Sequence, residues 1–321
     1  GHGMSLCPPG RGFTYYDMIL NDDNLVLDLT HMNKIVSWCK SSGQIVVQPG
    51  VTLADIFLMC LRDNWTLNAC PGGMLVTVGG AISNNVHGKD AWKYGSFGNQ
   101  VESLRLLTSS GETIFLDGTN DKVIFDAVIG GMGLLGIVVE ATIQLRKVPS
   151  PFVQVSTTSV NNYEETVEQI ELAKNEADFV VSWNDGFARR PSEGRGFVVS
   201  EKWTEAQNPN IDNRIAKSLT KPTKIFGVIP AAPFWFFASP LFMPWSIKQV
   251  NRLHYYLAKY KMIYSRLNEQ LFTEYNFMHN RIPDIRNVYR PYGFFEFEPL
   301  IPYEAGVEAV KEVSRICRRH G

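Results

Sequence analysis

Four glycine clusters fall within 127 residues, between Gly10 and Gly136. Glycine weakens helix and strand interiors alike, so this stretch builds loops whose backbone bends sharply or is approached closely. The first cluster is Gly10-Arg11-Gly12-Phe13-Thr14-Tyr15-Tyr16-Asp17. A loop of this kind can turn successive N–H groups inward as an anion nest, and the Thr14 hydroxyl can add a donor. The second is Pro71-Gly72-Gly73 followed by Val76-Thr77-Val78-Gly79-Gly80-Ala81-Ile82. Its Gly-Gly pair sits in an apolar, β-branched run that reads as strand. The missing side chains there suit a planar ligand or a phosphate, or else a bulge.

The third cluster follows at once, as Ser83-Asn84-Asn85-Val86-His87-Gly88-Lys89-Asp90 and then Gly95-Ser96-Phe97-Gly98. It gathers an imidazole, an ammonium and several amide and hydroxyl side chains around glycine. An isolated histidine is most often structural. With Lys89 two residues on and Gly79-Gly80 just upstream, His87 reads as functional. The fourth cluster is Gly130-Gly131-Met132-Gly133-Leu134-Leu135-Gly136. A dinucleotide fingerprint of glycines opens a helix, whereas Gly136 leads into GIVVEATIQL, which reads as strand, so a nicotinamide-binding domain is disfavoured. Each cluster alone is an ordinary turn; the four together point to a phosphate-bearing or planar ligand.

Between the clusters, residues 24–29 and 44–48 read as strands and 51–65 as a helix with Thr52 as N-cap ahead of Asp55. Strands are expected again at 101–107, 113–116 and 136–145, with a hairpin turn at Ser109-Ser110-Gly111. Composition changes at Val148-Pro149-Ser150-Pro151. Beyond it a strand at 152–158, a helix at 162–175 and a strand at 178–183 are followed much later by a strand-like run, 293–301, and a helix-like run, 304–318. The expectation is an α+β chain of two domains, 1–148 and 149–321.

Thirty-one Lys+Arg against 32 Asp+Glu give a formal charge of -1, without the basic excess of a nucleic-acid binder. Five scattered cysteines without CxxC spacing read as reduced thiols, neither a disulfide framework nor a metal site. With no signal peptide in the first residues, a cytoplasmic protein is expected. The long apolar run 225–247 is interrupted by Pro230, Pro233, Pro240 and Pro244, so it is not read as a membrane span. A buried or lid-like aromatic loop is the plainer reading; contact with a lipid substrate or the inner membrane surface is the sharper one.

The run VTVGGAISNNVHGKDAWKYGSFGNQVESLRLLTSSGE, supported by GGMGLLGIVVEATIQL and LIPYEAGVEAVKEV, resembles the FAD-linked oxidases of the vanillyl-alcohol oxidase type. Within them it is most similar to the decaprenylphosphoryl-β-D-ribose 2-oxidase group, with sugar-lactone oxidases further away. The resemblance implies an FAD-binding domain followed by an α+β substrate, or cap, domain. It implies that Gly10, Arg11, Gly12, Phe13, Thr14, Tyr15, Tyr16 and Asp17 hold the FAD pyrophosphate. Gly72, Thr77, Val78, Gly79 and Gly80 would line the flavin, Asn84, Asn85, Val86 and His87 would continue along it, and Ile137 would touch it through its backbone. His87 and Lys89 would face the reacting atoms, with Tyr15 at the substrate entrance.

The implied reaction takes a hydride from a sugar secondary alcohol to the flavin while a base takes the hydroxyl proton, on a noncovalent FAD. Lys89 can serve as that base if burial lowers it, but its ammonium equally suits a substrate phosphate or hydroxyl. The implied partners are a sugar or lipid-linked sugar and a reductase that completes an epimerisation. Phe13 and Tyr16 depart from the group's loop pattern, and Glu296 and Glu298 stand where the group places Gln. The resemblance also implies chain before the pyrophosphate loop and a continuation beyond Gly321. Two other readings stay open: an aldonolactone or small polyol oxidase, and a flavin-binding module without turnover.

Overall fold

In a computed structural model of the chain, the described residues are all except 1–3, 15–18, 207–209, 226–227, 232, 244, 265–267, 278–284, 292, 295 and 321. They divide into two compact units. The first comprises residues 1–151 with 205–220 and 271–278, and the second 152–204 with 221–270 and 279–321.

The first unit is built on a five-stranded antiparallel sheet. Its strands are β1 (Ile35–Cys39), β2 (Gln44–Val47), β3 (Val101–Leu107), β4 (Thr113–Asp117) and β5 (Ile137–Gln144), in the order β1-β2-β5-β3-β4. Alternation sets which face is covered: Ile45 and Val47 of β2, Leu104 and Leu106 of β3 and Ala141 and Ile143 of β5 are buried. The β3–β4 hairpin turns where expected, with the Thr108 N–H donating to Glu112 O at 2.9 Å and Gly111 at φ +84°. Helix α1 (Leu53–Cys60) starts at Thr52, whose hydroxyl accepts from the Asp55 N–H while the Asp55 carboxylate accepts from the Thr52 N–H. This reciprocal cap satisfies two orphan donors and fixes the start of the helix. Its inner face carries Leu53, Ile56 and Phe57, and Phe57 packs on Phe272 and Phe277 at ring-centroid distances of 5.7 and 5.5 Å. The returning segment 271–278 is thereby tied to the first unit by aromatic burial.

The 76–82 run differs from its strand reading. Val78–Ser83 forms a short helix, α2, because the Thr77 hydroxyl caps it by accepting from the Gly80 N–H at 3.3 Å. An N-cap one residue before the Val-Gly-Gly run overrides the β-branched signal. The expected strand at 24–29 shrinks to Leu25–Val26, paired in parallel with Leu6–Cys7, and then a 3-10 turn at Leu29–His31. The fourth glycine cluster does lead into strand β5 rather than a helix.

The second unit carries a four-stranded sheet of β6 (Phe152–Val160), β7 (Phe179–Asn184), β8 (Gly196–Trp203) and β9 (Asn268–Leu271), in the order β7-β8-β6-β9. Three helices of this unit are α3 (Tyr163–Lys174), α4 (Ile247–Tyr264) and α5 (Gly306–His320). The Tyr163 hydroxyl meets Ser314 at 2.7 Å, joining α3 to α5. Between β7 and β8 in the chain, the buried Asp185 carboxylate receives Arg195 at 2.8 Å. The strand-like run 293–301 forms no strand among the described residues, and its Leu300 is fully exposed. Glu296 and Glu298 are exposed on this irregular stretch. Nor is the 225–247 run buried core: among its described residues, the short helix Phe234–Ala238 and the 3-10 turn Ser239–Phe242 lie beside an outward Phe236, Phe237 and Trp245.

Candidate functional site

Helix α2 of the first unit is the point on which the glycine clusters converge. A Cβ on Gly10 would collide with the Thr77 hydroxyl, so the first loop lies directly against the N-cap of α2. The fourth cluster wraps the other end, where the Gly130 N–H donates to Ile82 O and the Met132 N–H to Ser83 O, both at 2.9 Å. Gly130, Met132 and Gly133 hold positive φ values of +78°, +52° and +77°, which this tight wrap requires. Gly133 also lies beside Pro8, where an added Cβ would sit 3.9 Å from the ring. Clusters far apart in sequence thus line one glycine-walled stretch of backbone.

The amides of α2 itself are committed to protein. The Val78 N–H donates to Val51 O and the Gly79 N–H to Pro49 O, both at 2.8 Å, and the Gly80 N–H goes to Thr77. What Gly79 and Gly80 contribute is close packing, since their missing side chains let Pro49 and the Thr77 hydroxyl approach. A Cβ on Gly79 would lie 2.8 Å from the Pro49 ring and one on Gly80 3.2 Å from the Thr77 hydroxyl. Asn84 is exposed and folds its amide back onto Gly80 O at 2.9 Å. Asn85, at φ +42°, accepts the Gly98 N–H at 2.9 Å and so holds the Gly95–Gly98 turn beside α2. Val86 is held from both sides, its N–H on Ala81 O and its carbonyl on the Phe97 N–H. Ile137 opens β5 in register with Leu107. Gly72 is half-buried, and Tyr15, Tyr16 and Asp17 lie outside the described residues; Arg11 is exposed and Gly12, Phe13 and Thr14 are half-buried.

His87 and Lys89 part company in their surroundings. His87 is exposed, whereas the Lys89 ammonium is buried over the face of Tyr275, 3.8 Å from the ring centroid. A ring face stabilises a desolvated cation electrostatically, so it holds a charged group where water is excluded. Between them, Gly88 packs on the backbone of Ala69 and Cys70, where a Cβ would meet Cys70 N at 2.7 Å and Cys70 O at 2.8 Å. The next residue completes the latch: the buried Asp90 carboxylate accepts the Ala69 N–H through both oxygens, at 3.1 and 3.2 Å. Burial, together with the Asp90 charge, pushes the Cys70 thiol up, so it stands as a neutral wall.

Asp90, Tyr275 and Asn276 were not singled out from the sequence. Asn276 donates its side-chain amide to Pro71 O at 3.3 Å, bracing the turn ahead of Gly72 from the same returning segment that carries Tyr275. Asp90 had a readable signal, as the lone acid in the glycine-rich run 83–98. Tyr275 and Asn276 had none, because 186 residues separate Lys89 from the ring it meets. Among the described residues, no group of three or more His, Cys, Asp or Glu is placed to hold a metal ion.

These residues fit an FAD. The first loop carries the exposed Arg11 cation and the positive-φ Gly12, and at Gly133 an added Cβ would meet nothing nearer than Pro8 at 3.9 Å, so these two loops offer backbone that a pyrophosphate or a flat ring can approach. A sheet of this order, glycine loops gathered at one short helix and a histidine-glycine-lysine corner define an FAD-binding domain. Residues 1–117 match the FAD binding domain family. FAD is its cofactor.

Among its relatives is the decaprenylphosphoryl-beta-D-ribose oxidase of Mycolicibacterium smegmatis, 32% identical over 199 residues, which is 61% of this chain and 43% of that protein. The D-arabinono-1,4-lactone oxidase of Eremothecium gossypii is 28% identical over 203 residues, 62% of this chain and 37% of that protein. A D-lactate dehydrogenase of Anaerostipes hadrus is 31% identical over 132 residues, 40% of this chain and 27% of that protein. The chain spans less than half the length of these relatives.

Proposed function

We propose that the chain forms the flavin site and part of the substrate domain of an oxidoreductase that oxidises a secondary alcohol of a polyprenyl-phosphate-linked sugar. The observation that carries this reading is the Lys89 ammonium on the Tyr275 face, two residues from an exposed imidazole and beside the glycine-walled backbone. FAD, when bound, supplies the two-electron acceptor for the alcohol hydride. The chain's residues supply the rest. The Gly10–Thr14 loop binds the pyrophosphate, the backbone of Gly79 and Gly80 lies along the ring, and Asp90 and Gly88 fix the His87–Lys89 corner. Lys89 holds an anionic or alkoxide-like oxygen of the substrate, which a fixed cation in a dry site does strongly. His87 takes the hydroxyl proton as the general base.

The substrate reading draws on the Mycolicibacterium smegmatis relative, whose name gives decaprenylphosphoryl-ribose. It places the enzyme in cell-envelope metabolism, at a membrane face where a lipid-linked sugar is met, with a noncovalent FAD and a reductase as partner. The arabinono-lactone oxidase relative supports a second reading, oxidation of an aldonolactone or small polyol at the same site. Among the described residues no helix is long and apolar enough to cross a membrane.

Anaerobic mixing of the FAD-loaded protein with each sugar class tests the proposal. Bleaching of the flavin band by a polyprenyl-phosphate ribose and not by arabinono-lactone is expected. Bleaching by the lactone alone would move the protein to the second reading, and bleaching by neither would leave a flavin-binding module without turnover.

A further inference from the structure

We infer that the second unit carries a docking surface for anionic phospholipid, formed by the outward face of α4 and the aromatic turn before it. Helix α4 is amphipathic in an unusual sense: its apolar stripe faces outward. Its inner face is set by Tyr255, buried and stacked on Phe197, and by Asn251, whose amide donates to the Asp185 carboxylate at 3.4 Å. On the opposite side, Leu253, Tyr256, Leu257 and Tyr260 follow one another at helical spacing, and each is between 51% and 60% exposed. The 3-10 turn Ser239–Phe242 packs against this helix, and around it Phe236, Phe237 and Trp245 are between 64% and 71% exposed. The Ser246 hydroxyl, donating to Met243 O at 3.1 Å, pins that turn to the helix start. Seven large apolar or aromatic side chains in a run of 25 residues thus face water.

Charge selects the occupant. Residues 221–264 contain six Lys and Arg and no Asp or Glu, where the chain's 32 acids in 321 residues would place about four. Lys248, Arg252 and Lys259 are exposed, and helical spacing sets all three along one border of the stripe. A second copy docked on this face by two-fold symmetry would oppose these cations to their own copies. An anionic lipid surface complements them instead. Its headgroups meet the basic border, the tyrosines and tryptophan take the interface, and the leucines and phenylalanines enter the acyl boundary. The inference rests on the reading that the enzyme works at a membrane face, and it names the surface that meets the lipid.

The test is sedimentation of the FAD-loaded full chain with substrate-free vesicles of phosphatidylcholine, alone or mixed equally with phosphatidylglycerol. We expect at least tenfold stronger partitioning onto the mixed vesicles. Leu257→Glu and the pair Arg252→Gln/Lys259→Gln should each weaken it by about tenfold or more, since each surface cation near such a membrane strengthens binding roughly fivefold. FAD content and melting curve should stay as in the parent protein. If Leu257→Glu fails to fold, the exposed pair decides alone. Equal partitioning onto both vesicles, or partitioning that neither variant alters, overturns the inference. So does a chain that ignores both vesicles, including one that forms a dimer dissolved by Leu257→Glu. Because the vesicles hold no substrate, bleaching by a soluble sugar analogue tells a failed catalytic reading from a failed docking surface.

Discussion

Gly88→Ala isolates the close approach that sets the His87–Lys89 corner. The added Cβ would sit 2.7 Å from Cys70 N and 2.8 Å from Cys70 O, against 3.4 Å for ordinary contact, so a gap of about 0.7 Å must open. The segment it meets has little room to yield: Ala69 is at φ +49°, its N–H is held by Asp90, and the turn beyond Cys70 is braced by Asn276. Overpacking of this kind costs about 1–3 kcal/mol. In a unit of this size, the melting temperature falls by about 2–4 °C for each kcal/mol. Because the displaced segment also carries the site, FAD affinity should fall with it. The assay is thermal melting beside a flavin-fluorescence titration, with Gly118→Ala as control, since nothing lies within 4 Å of a Cβ there. A Gly88→Ala protein that matches the control in both measurements would refute the packing argument.

Other perturbations separate roles within the same corner. His87→Ala should slow substrate-driven bleaching by about a hundredfold or more while the protein stays folded; unchanged bleaching removes His87 from proton transfer. Asp90→Ala leaves the buried Ala69 N–H without its acceptor and should cost about 1–3 kcal/mol in urea denaturation, with Asp90→Asn recovering much of the loss; equal stability of all three proteins would contradict the latch. On the β1–β2 hairpin, hydrogen bonds from Ser41 and Ser42 lower the exposed Cys39 thiol to about 6. As the thiolate is the favoured form above that value, alkylation of Cys39 should rise through a midpoint near pH 6. Cys60, pushed up to about 12 by burial, should stay unmodified, and a Cys39 midpoint near the ordinary thiol value would contradict the assignment.

Local chemistry made much of the first unit legible. The Thr52–Asp55 capping box, the β3–β4 hairpin at Ser109-Ser110-Gly111 and the strand after Gly136 each rest on signals carried by a few adjacent residues. Strength of pattern misled at 76–82, where β-branched residues suggested strand and a single N-cap threonine decided for helix. At 293–301 alternation alone promised a strand, yet a strand needs a neighbour, and none pairs with it among the described residues. Strand β8 passed unread although it is central in its sheet, since its Phe197-Val198-Val199 core is only three residues long. In the site, the glycines and the His87–Lys89 pair announced themselves by type and spacing. The residues that hold Lys89 and the Cys70 turn, Tyr275 and Asn276, arrive on a returning segment that Phe272 and Phe277 anchor on Phe57. No local signal encodes that long-range packing.

The central claim is that the glycine-walled backbone around α2 holds a dissociable FAD. It is tested most directly by the visible absorbance of the purified chain, supplied with FAD and freed of excess, before and after acid precipitation. The account predicts a flavin spectrum that moves wholly into the acid supernatant. Colour that stays in the pellet would contradict dissociable binding, and a colourless protein that takes up no added FAD would contradict the site itself.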